Sequence, residues 1–173
     1  SSAALIPYLK LRSDPFILLS TGTWCIALNP FSTDPLTLEE LAKDCLCYLS
    51  YESKPIKACR LFLGHEHQEM VKRIAKHFQV DEDFYKSVKY NPALFIDNTD
   101  RSFQDQTGLI RSGFEKRPLN AFADEITAYH ALIQDFVITQ VKSLLLIQKE
   151  IIGIDILVDG GFAQNELFMS LLA

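Results

Sequence analysis

A glycine pair near the C-terminus constrains the fold more than any other feature of this 173-residue chain. It is preceded by an apolar and mostly β-branched run that is typical of a short buried strand, made of Ile154, Ile156, Leu157 and Val158. At Gly160-Gly161 two missing Cβ atoms let another group come close to the backbone, and helix-compatible residues follow from Asn165. This pattern predicts a seat for a flat ring or a phosphate, although it also fits an ordinary strand-to-helix turn.

A second glycine turn lies near the N-terminus. Residues 16–19 (Phe-Ile-Leu-Leu) predict a strand, residues 20–24 (Ser-Thr-Gly-Thr-Trp) interrupt it, and an apolar pattern resumes over 25–28, which predicts a hairpin. A glycine between hydroxyl residues offers both N–H and O–H donors to an anion. The alternative is a hairpin turn whose polar residues face water. The sequence contains no Gly-Lys-Ser/Thr of the Walker type.

Together the two turns resemble the C-terminal domain of the FGGY carbohydrate kinases. The resemblance rests on Ser-Thr-Gly-Thr-Trp at 20–24 and Val-Asp-Gly-Gly-Phe-Ala-Gln-Asn at 158–165, in that order, and it covers nearly the whole chain. The first motif is most similar to the rhamnulokinase and fuculokinase branch. The resemblance implies an α/β domain with the actin-like ATPase (ribonuclease H-like) fold. Such a domain has a mixed sheet flanked by helices and forms the C-terminal half of a two-domain sugar kinase.

The resemblance assigns the N-terminal turn to the phosphates of ATP. Gly22 and Thr23 match the Gly-Thr that meets the phosphates, with Thr21 beside them. Gly64 and Gln68 keep the spacing of a glycine and a glutamine near the nucleotide. Gln68 equally fits a solvated helix position.

The C-terminal glycines are assigned to the adenosine. Gly161, with Gly160 before it, matches the second glycine beside the purine and its sugar, and Asn165 matches the asparagine that contacts adenine. Asp159 precedes this pair and fits a turn cap better than an approach to Mg²⁺ through water.

The family's catalytic aspartate has no counterpart within the chain. It stands immediately before a small-residue run that Ser1-Ser2-Ala3-Ala4-Leu5 resembles, so the general base is expected one residue before Ser1. The resemblance therefore assigns no catalytic residue and no metal ligand to these 173 residues. We expect residues 1–173 to be a truncated fragment that holds the nucleotide-binding domain and lacks the sugar-binding N-terminal domain.

The implied activity is the ATP-dependent phosphorylation of a sugar, such as the ketoses rhamnulose, fuculose or xylulose. ATP or ADP and Mg²⁺ are the implied cofactors, and the sugar and the N-terminal domain of the same kinase are the implied partners. The fragment alone is expected to bind nucleotide without turnover. Two alternatives stay open: an actin-like nucleotide-binding module without kinase activity, and an α/β domain whose glycine turns are only structural.

Net charge, apolar run length and cysteine spacing indicate which kinds of partner and compartment to expect. A net charge of −5 leaves no basic footprint for nucleic acid. No apolar run approaches the ~20 residues that span a bilayer, so no membrane partner is expected. Four cysteines without C-x-x-C spacing fit free thiols in a reducing compartment, which favours the cytoplasm.

Helical patterns occupy much of the remainder. Thr37 and Glu40 have capping-box spacing and predict a helix that ends near Leu49. Amphipathic periodicity predicts helices over 66–78 and 120–150. The apolar surface of the longer helix leaves room for a homodimer contact. Between the two helices we expect loops, with one strand at Ala93–Ile96.

Two clusters of potential metal ligands are interpreted as structural. His65-Glu66-His67 and Cys45-x-Cys47 both place i and i+2 residues on predicted helices, where they point apart. The histidine segment is therefore expected to be solvent-exposed or to cap a loop. The cysteines are expected to be one core and one surface residue.

Overall fold

A five-stranded mixed sheet organises residues 2–148 and 153–173, the part of the chain that this computed structural model describes. The strand order is β3-β4-β2-β1-β7; β7 is parallel to β1, and the other neighbours are antiparallel. The strands are β1 (Phe16–Thr21), β2 (Cys25–Asn29), β3 (Cys45–Leu49), β4 (Pro55–Leu61) and β7 (Asp155–Gly160). A separate two-stranded hairpin consists of β5 (Phe103–Gln104) and β6 (Ile110–Arg111).

Helices cover both faces of the sheet. They are α1 (Ile6–Leu11), α2 (Leu38–Ala42), α3 (Leu63–Phe78), α4 (Glu125–Ile147) and α5 (Glu166–Leu172). Successive side chains of a strand point to opposite faces. Ile17 and Leu19 therefore join the core formed with α3, α4 and α5, while Phe16 and Leu18 pack with residues of α1 on the other side. This two-sided burial explains why β1 is apolar throughout rather than alternating.

Helix α4 runs through the centre of the larger core. Asp124 caps its first turn by accepting a hydrogen bond from Thr127 N at 2.7 Å. By length and composition α4 could cross a membrane, with a mean hydropathy of 1.3, which corrects the expectation that no apolar run approaches that length. However, 72% of the apolar window is buried inside the protein, as in a core helix. A homodimer contact stays a prediction, and α4 offers it only its exposed positions, such as Ile126 and Leu145.

Residues 79–124 wrap over α3 and α4 and are tied to them by side chains. Arg73 donates to the carbonyl oxygen of Arg117 at 2.8 Å, and the Arg117 guanidinium pairs with the buried Asp135 of α4 at 2.7 Å. The amide of Gln134 bonds the backbone at both Ile96 and Asp97. These contacts order a stretch that contains little regular structure.

The hairpin of β1 and β2 and the helices α3 and α4 are confirmed, with altered ends. Helix α3 begins at Leu63 rather than at residue 66, and α4 begins at Glu125 rather than at residue 120. The predicted end of α4 near residue 150 lies outside the described residues.

Two predictions of secondary structure were wrong: where helix α2 ends, and the strand at residues 93–96. The capping box of Thr37 and Glu40 forms, but helix α2 stops at Ala42 because the following residues pair with β4 as strand β3. Asp44 makes the change of direction in the left-handed region, at φ 60°. The strand expected at residues 93–96 is instead a 3₁₀ turn, Pro92–Leu94.

The cysteine pair illustrates the same correction. Cys45 and Cys47 lie on a strand, not on a helix, so their side chains share one face of the sheet; Cys45 is buried there and Cys47 is exposed. The prediction of one core and one surface cysteine is confirmed, although the predicted secondary structure was wrong.

Candidate functional site

A cleft of about 580 Å³ lies where the ends of β1 and β7 meet the N-terminal turns of α3 and α5. Seven of the eight residues that the sequence nominated line it: Thr21, Gly22, Thr23, Gly64, Gln68, Gly161 and Asn165. The eighth, Gly160, does not line the cleft. Further lining residues include His67 and Tyr85.

The turn after β1 touches the start of α3 directly. A Cβ at Gly64 would lie 1.8 Å from the carbonyl oxygen of Gly22, so only glycine allows this approach. The amide of His65, in the first turn of α3, donates to the carbonyl oxygen of Thr23 at 3.2 Å. The exposed Gly22-Thr23 turn is thus held against the positive end of a 16-residue helix.

Thr21 fastens the other glycine segment. Its hydroxyl donates to the carbonyl oxygen of Asp159 at 2.6 Å and accepts from the amide of Phe162 at 3.0 Å. Thr21 is 3% exposed, and its bond with the Phe162 amide is buried. This hydroxyl joins two turns that lie about 140 residues apart in the sequence, and it is not a free donor in the cleft.

The two glycines of the pair have different surroundings. Gly160 has φ +91°, and a Cβ there would lie 1.9 Å from the carbonyl oxygen of Thr21, so its role is close packing of β7 against β1. Gly161 has no atom nearer than 3.9 Å to such a Cβ, and it lines the cleft. Asp159 caps the turn through the amide of Gly160 at 2.8 Å, as expected.

Asn165 sits at the start of α5 with a fixed side-chain amide. Its Oδ1 accepts from the amide of Phe168 at 3.0 Å, which caps the helix, and its Nδ2 donates to the hydroxyl of Tyr129 at 2.7 Å. The Tyr129 hydroxyl also lies 2.9 Å from Nε2 of His67. A hydrogen-bonded row therefore runs from α5 through α4 to α3 along the cleft.

Burial controls the protonation of this row. It lowers the pKa of His67 to about 4, so the imidazole is neutral at pH 7. It also raises the pKa of the Tyr129 phenol above its usual range. Both groups act as neutral hydrogen-bonding partners.

The expectation of solvent exposure for His65-Glu66-His67 was wrong at two of its three positions. Glu66 is fully buried, where it accepts from the hydroxyl of Ser112 at 2.6 Å, and burial raises the pKa of its carboxyl group. His67 faces the cleft and Tyr129. His65 is partly exposed and stacks on Phe62 with ring centroids 4.5 Å apart.

The rim of the cleft carries compensated charges. Lys89 pairs with Glu166 at 2.6 Å, and Lys86 pairs with Asp83 at 2.7 Å. Glu166 is the only carboxylate among the described residues that line the cleft. Within residues 2–148 and 153–173, no group of three His, Cys, Asp or Glu side chains is placed to hold a metal ion.

Comparison with known proteins identifies the family. The family model described as "Carbohydrate kinase FGGY, C-terminal domain" matches residues 13–173. The chain belongs to the FGGY carbohydrate kinase family. No curated protein matches the sequence significantly.

A solved structure shares the fold of this FGGY domain. It is a carbohydrate kinase from Novosphingobium aromaticivorans, 22% identical, with a TM-score of 0.69. The match covers 99% of this chain and 38% of that kinase. The predicted α/β architecture is confirmed: a mixed sheet flanked by helices that matches a carbohydrate kinase C-terminal domain with the actin-like ATPase fold. The rhamnulokinase and fuculokinase branch stays a prediction.

Sequence reasoning missed two residues of the hydrogen-bonded row: His67, which lines the cleft, and Tyr129, which is buried behind it. His67 was interpreted within a possible metal motif, and Tyr129 as one more apolar position of a long helix. A polar aromatic side chain on the buried face of α4 was the available signal, because a buried Tyr hydroxyl needs a hydrogen-bond partner. The partners lie 62 and 36 residues away in the sequence, so local pattern did not reveal them.

Proposed function

We propose that this FGGY domain binds an adenine nucleotide in the cleft and supplies the ATP-binding half of a sugar kinase. One observation carries the proposal. The turn at Gly22-Thr23, the start of α3 at Gly64 and the glycine at Gly161 come from three distant parts of the chain and line one cleft. Of these cleft-end glycines, Gly64 and Gly160 are required by tight packing, whereas Gly22 and Gly161 leave open space where a Cβ would stand.

The turn at Gly22-Thr23 suits phosphates. Thr23 is exposed at the positive end of α3, where a hydroxyl and the helix dipole both favour an anion. Gly22 has no atom nearer than 4.0 Å to the position of a Cβ, so a phosphate group can approach its backbone. The proposed role of this end is to hold the phosphates and to balance their charge.

The other end of the cleft suits adenosine. Gly161 leaves its Cα face open, which fits a flat ring or a ribose against the backbone. Asn165 beside it keeps one N–H and one oxygen lone pair beyond its two structural hydrogen bonds. Gln68 is exposed on the neighbouring turn of α3 and is proposed as a further contact.

Magnesium fits this site only through the nucleotide. Because the described residues form no ligand cluster, the proposed Mg²⁺ is held by phosphate oxygens and water, as Mg²⁺ prefers. Bound there, it would neutralise charge on the phosphates.

The general base is proposed to lie outside the cleft of this chain. Glu166 is engaged by Lys89 and lies next to Asn165, at the adenosine end. We propose an aspartate immediately before Ser1 for this role, and an N-terminal domain of the same kinase for binding the sugar. The base would take the proton of the sugar hydroxyl, whose oxygen attacks the γ-phosphorus while ADP leaves. A ketose such as rhamnulose, fuculose or xylulose is the proposed acceptor, and the cytoplasm the proposed location.

Nucleotide binding is tested on the 173-residue chain by calorimetry and thermal unfolding with Mg·ADP. A ligand at 100 times its Kd stabilises the folded state by ~2.7 kcal/mol, which raises the melting temperature measurably. Binding with a stoichiometry of one supports the proposal. A folded chain with no heat of binding and an unchanged melting temperature refutes it, and favours glycine turns that are only structural.

Kinase activity is tested on a polypeptide that extends the chain at its N-terminus. ADP release from Mg·ATP is measured across a panel of ketoses and polyols. Turnover with one sugar supports the kinase and names its acceptor.

A non-catalytic nucleotide-binding module is the second candidate. It would keep the same nucleotide cleft, with Thr23, Gly161 and Asn165, and would lack the aspartate proposed before Ser1. An extended polypeptide that binds Mg·ADP and turns over no sugar would support this candidate.

A further inference from the structure

The side-chain amide of Asn165 is held on both of its polar ends. The Phe168 amide proton requires an acceptor, so it fixes which end of the carboxamide is Oδ1. The opposite end is then the NH₂ group, which donates to Tyr129. Asn165 is partly buried, so these bonds are partly protected from competing water.

The row of hydrogen bonds has a definite direction. Because an NH₂ group can only donate, the Tyr129 oxygen accepts from Asn165, and the phenol proton is available to Nε2 of His67. Nε2 accepts only if it carries no proton, which agrees with the neutral imidazole that burial produces. The network therefore assigns the imidazole proton to Nδ1.

Reversing the Asn165 amide breaks this arrangement at both ends. The NH₂ group would face the Phe168 amide, and two donors cannot form a hydrogen bond. The oxygen would face the Tyr129 hydroxyl, which would have to withdraw its proton from His67. The amide consequently presents one defined pattern of donor and acceptor to the cleft.

We propose that Tyr129 is a positioning residue that, together with the Phe168 amide, fixes the Asn165 amide so that the cleft selects a 6-amino purine over a 6-oxo purine. The inference rests on the proposed nucleotide function and goes beyond it in naming what sets base selectivity. Adenine offers an amino donor at N6 and an acceptor at N7, which pair with an amide oxygen and an amide N–H. Guanine and hypoxanthine offer an acceptor at O6 in place of the donor, which leaves the amide oxygen facing another oxygen.

A purely structural role for Tyr129 predicts a different result. Its ring is fully buried among His67, Phe84 and Tyr85, so any change there can loosen the cleft. Loosening weakens all nucleotides together, whereas loss of amide orientation changes the ratio of affinities. The ratio for ADP against GDP is therefore the decisive quantity.

The test compares Mg·ADP and Mg·GDP binding to the wild-type chain and to Tyr129→Phe. We expect the wild type to prefer ADP and the variant to lose about fivefold to tenfold of that preference, within the range of a bidentate base contact. Tyr8→Phe is the matched control, since Tyr8 packs on the opposite face of the sheet and should leave the ratio unchanged.

Two variants at His67 test the same inference if Tyr129→Phe does not fold. His67→Gln can supply an acceptor to the Tyr129 hydroxyl, while His67→Leu cannot. Selectivity should fall in the leucine variant and recover in the glutamine variant. The inference is overturned if the ADP to GDP ratio is unchanged in Tyr129→Phe or His67→Leu, or if the wild type binds both equally. A folded wild type that binds neither nucleotide refutes the proposed function itself.

Discussion

Thr21→Val removes one oxygen atom at the point where the two glycine turns meet. Valine has nearly the same shape as threonine, so the change isolates the hydroxyl from packing. The lost contacts are the 2.6 Å bond to the carbonyl oxygen of Asp159 and the 3.0 Å bond from the amide of Phe162. The variant therefore tests whether this hydroxyl holds β1 and the Gly160-Gly161 turn together.

The magnitude follows from the two bonds and their burial. A hydrogen bond contributes about 1 kcal/mol net, and an unpaired buried N–H adds a penalty of about 1–3 kcal/mol. Since the Phe162 amide bond is buried, we expect a loss of about 3 kcal/mol in the free energy of unfolding. For a domain of this size the melting temperature falls by roughly 6–12 °C.

The assay is urea unfolding followed by circular dichroism, with Thr23→Val as the matched control. Thr23 is exposed beside the same glycine, so its valine variant should keep the stability of the wild type and lose affinity for Mg·ADP. If the free energy of unfolding of Thr21→Val fell by less than 0.5 kcal/mol, with an unchanged m-value, the Thr21 hydroxyl would not be what holds β1 and the Gly160-Gly161 turn together. Equal destabilisation by both variants would show that the effect is not specific to Thr21.

Three further predictions concern packing, protonation and a buried ion pair. Gly64→Ala should lower the free energy of unfolding in urea by about 1–3 kcal/mol and weaken Mg·ADP binding, because the new Cβ would lie 1.8 Å from the carbonyl oxygen of Gly22. Equal stability of Gly64→Ala and Gly22→Ala would contradict this contact. Burial keeps His67 neutral in the folded state, so the free energy of unfolding should fall by up to about 3 kcal/mol as pH drops from 6.5 towards 4, because the unfolded chain binds a proton on this imidazole first. The same pH profile of unfolding in His67→Gln would oppose this prediction. Arg117→Met leaves the carboxylate of Asp135 buried and unpaired, so about 3–5 kcal/mol of stability should be lost, and an unchanged urea midpoint would argue against it.

The sequence identified the parts of the site that depend on backbone geometry. Gly64 and Gly160 are required by close approaches of the backbone, and a glycine between a strand and a helix already indicates such an approach in the sequence. The apolar runs of β1 and α4 likewise follow from burial. These features are local, and the sequence pattern carries them directly.

The missed features depend on contacts between distant segments. Residues 45–49 suit a helix or a strand equally by composition, and the choice is made by pairing with β4, whose register sets Cys45 opposite Cys59. Likewise, the row from His67 through Tyr129 to Asn165 exists only once α3, α4 and α5 pack on one face of the sheet.

Mg·ADP binding to wild type and Gly161→Leu, measured by calorimetry, tests the central claim most directly. Gly161 lines the cleft without being needed for packing, so leucine there should fill the adenosine end and leave the fold intact. The account predicts one bound ADP per wild-type chain, and at least tenfold weaker binding in a variant with an unchanged melting temperature. Equal affinity in the two proteins, or no binding by the folded wild type, would contradict it.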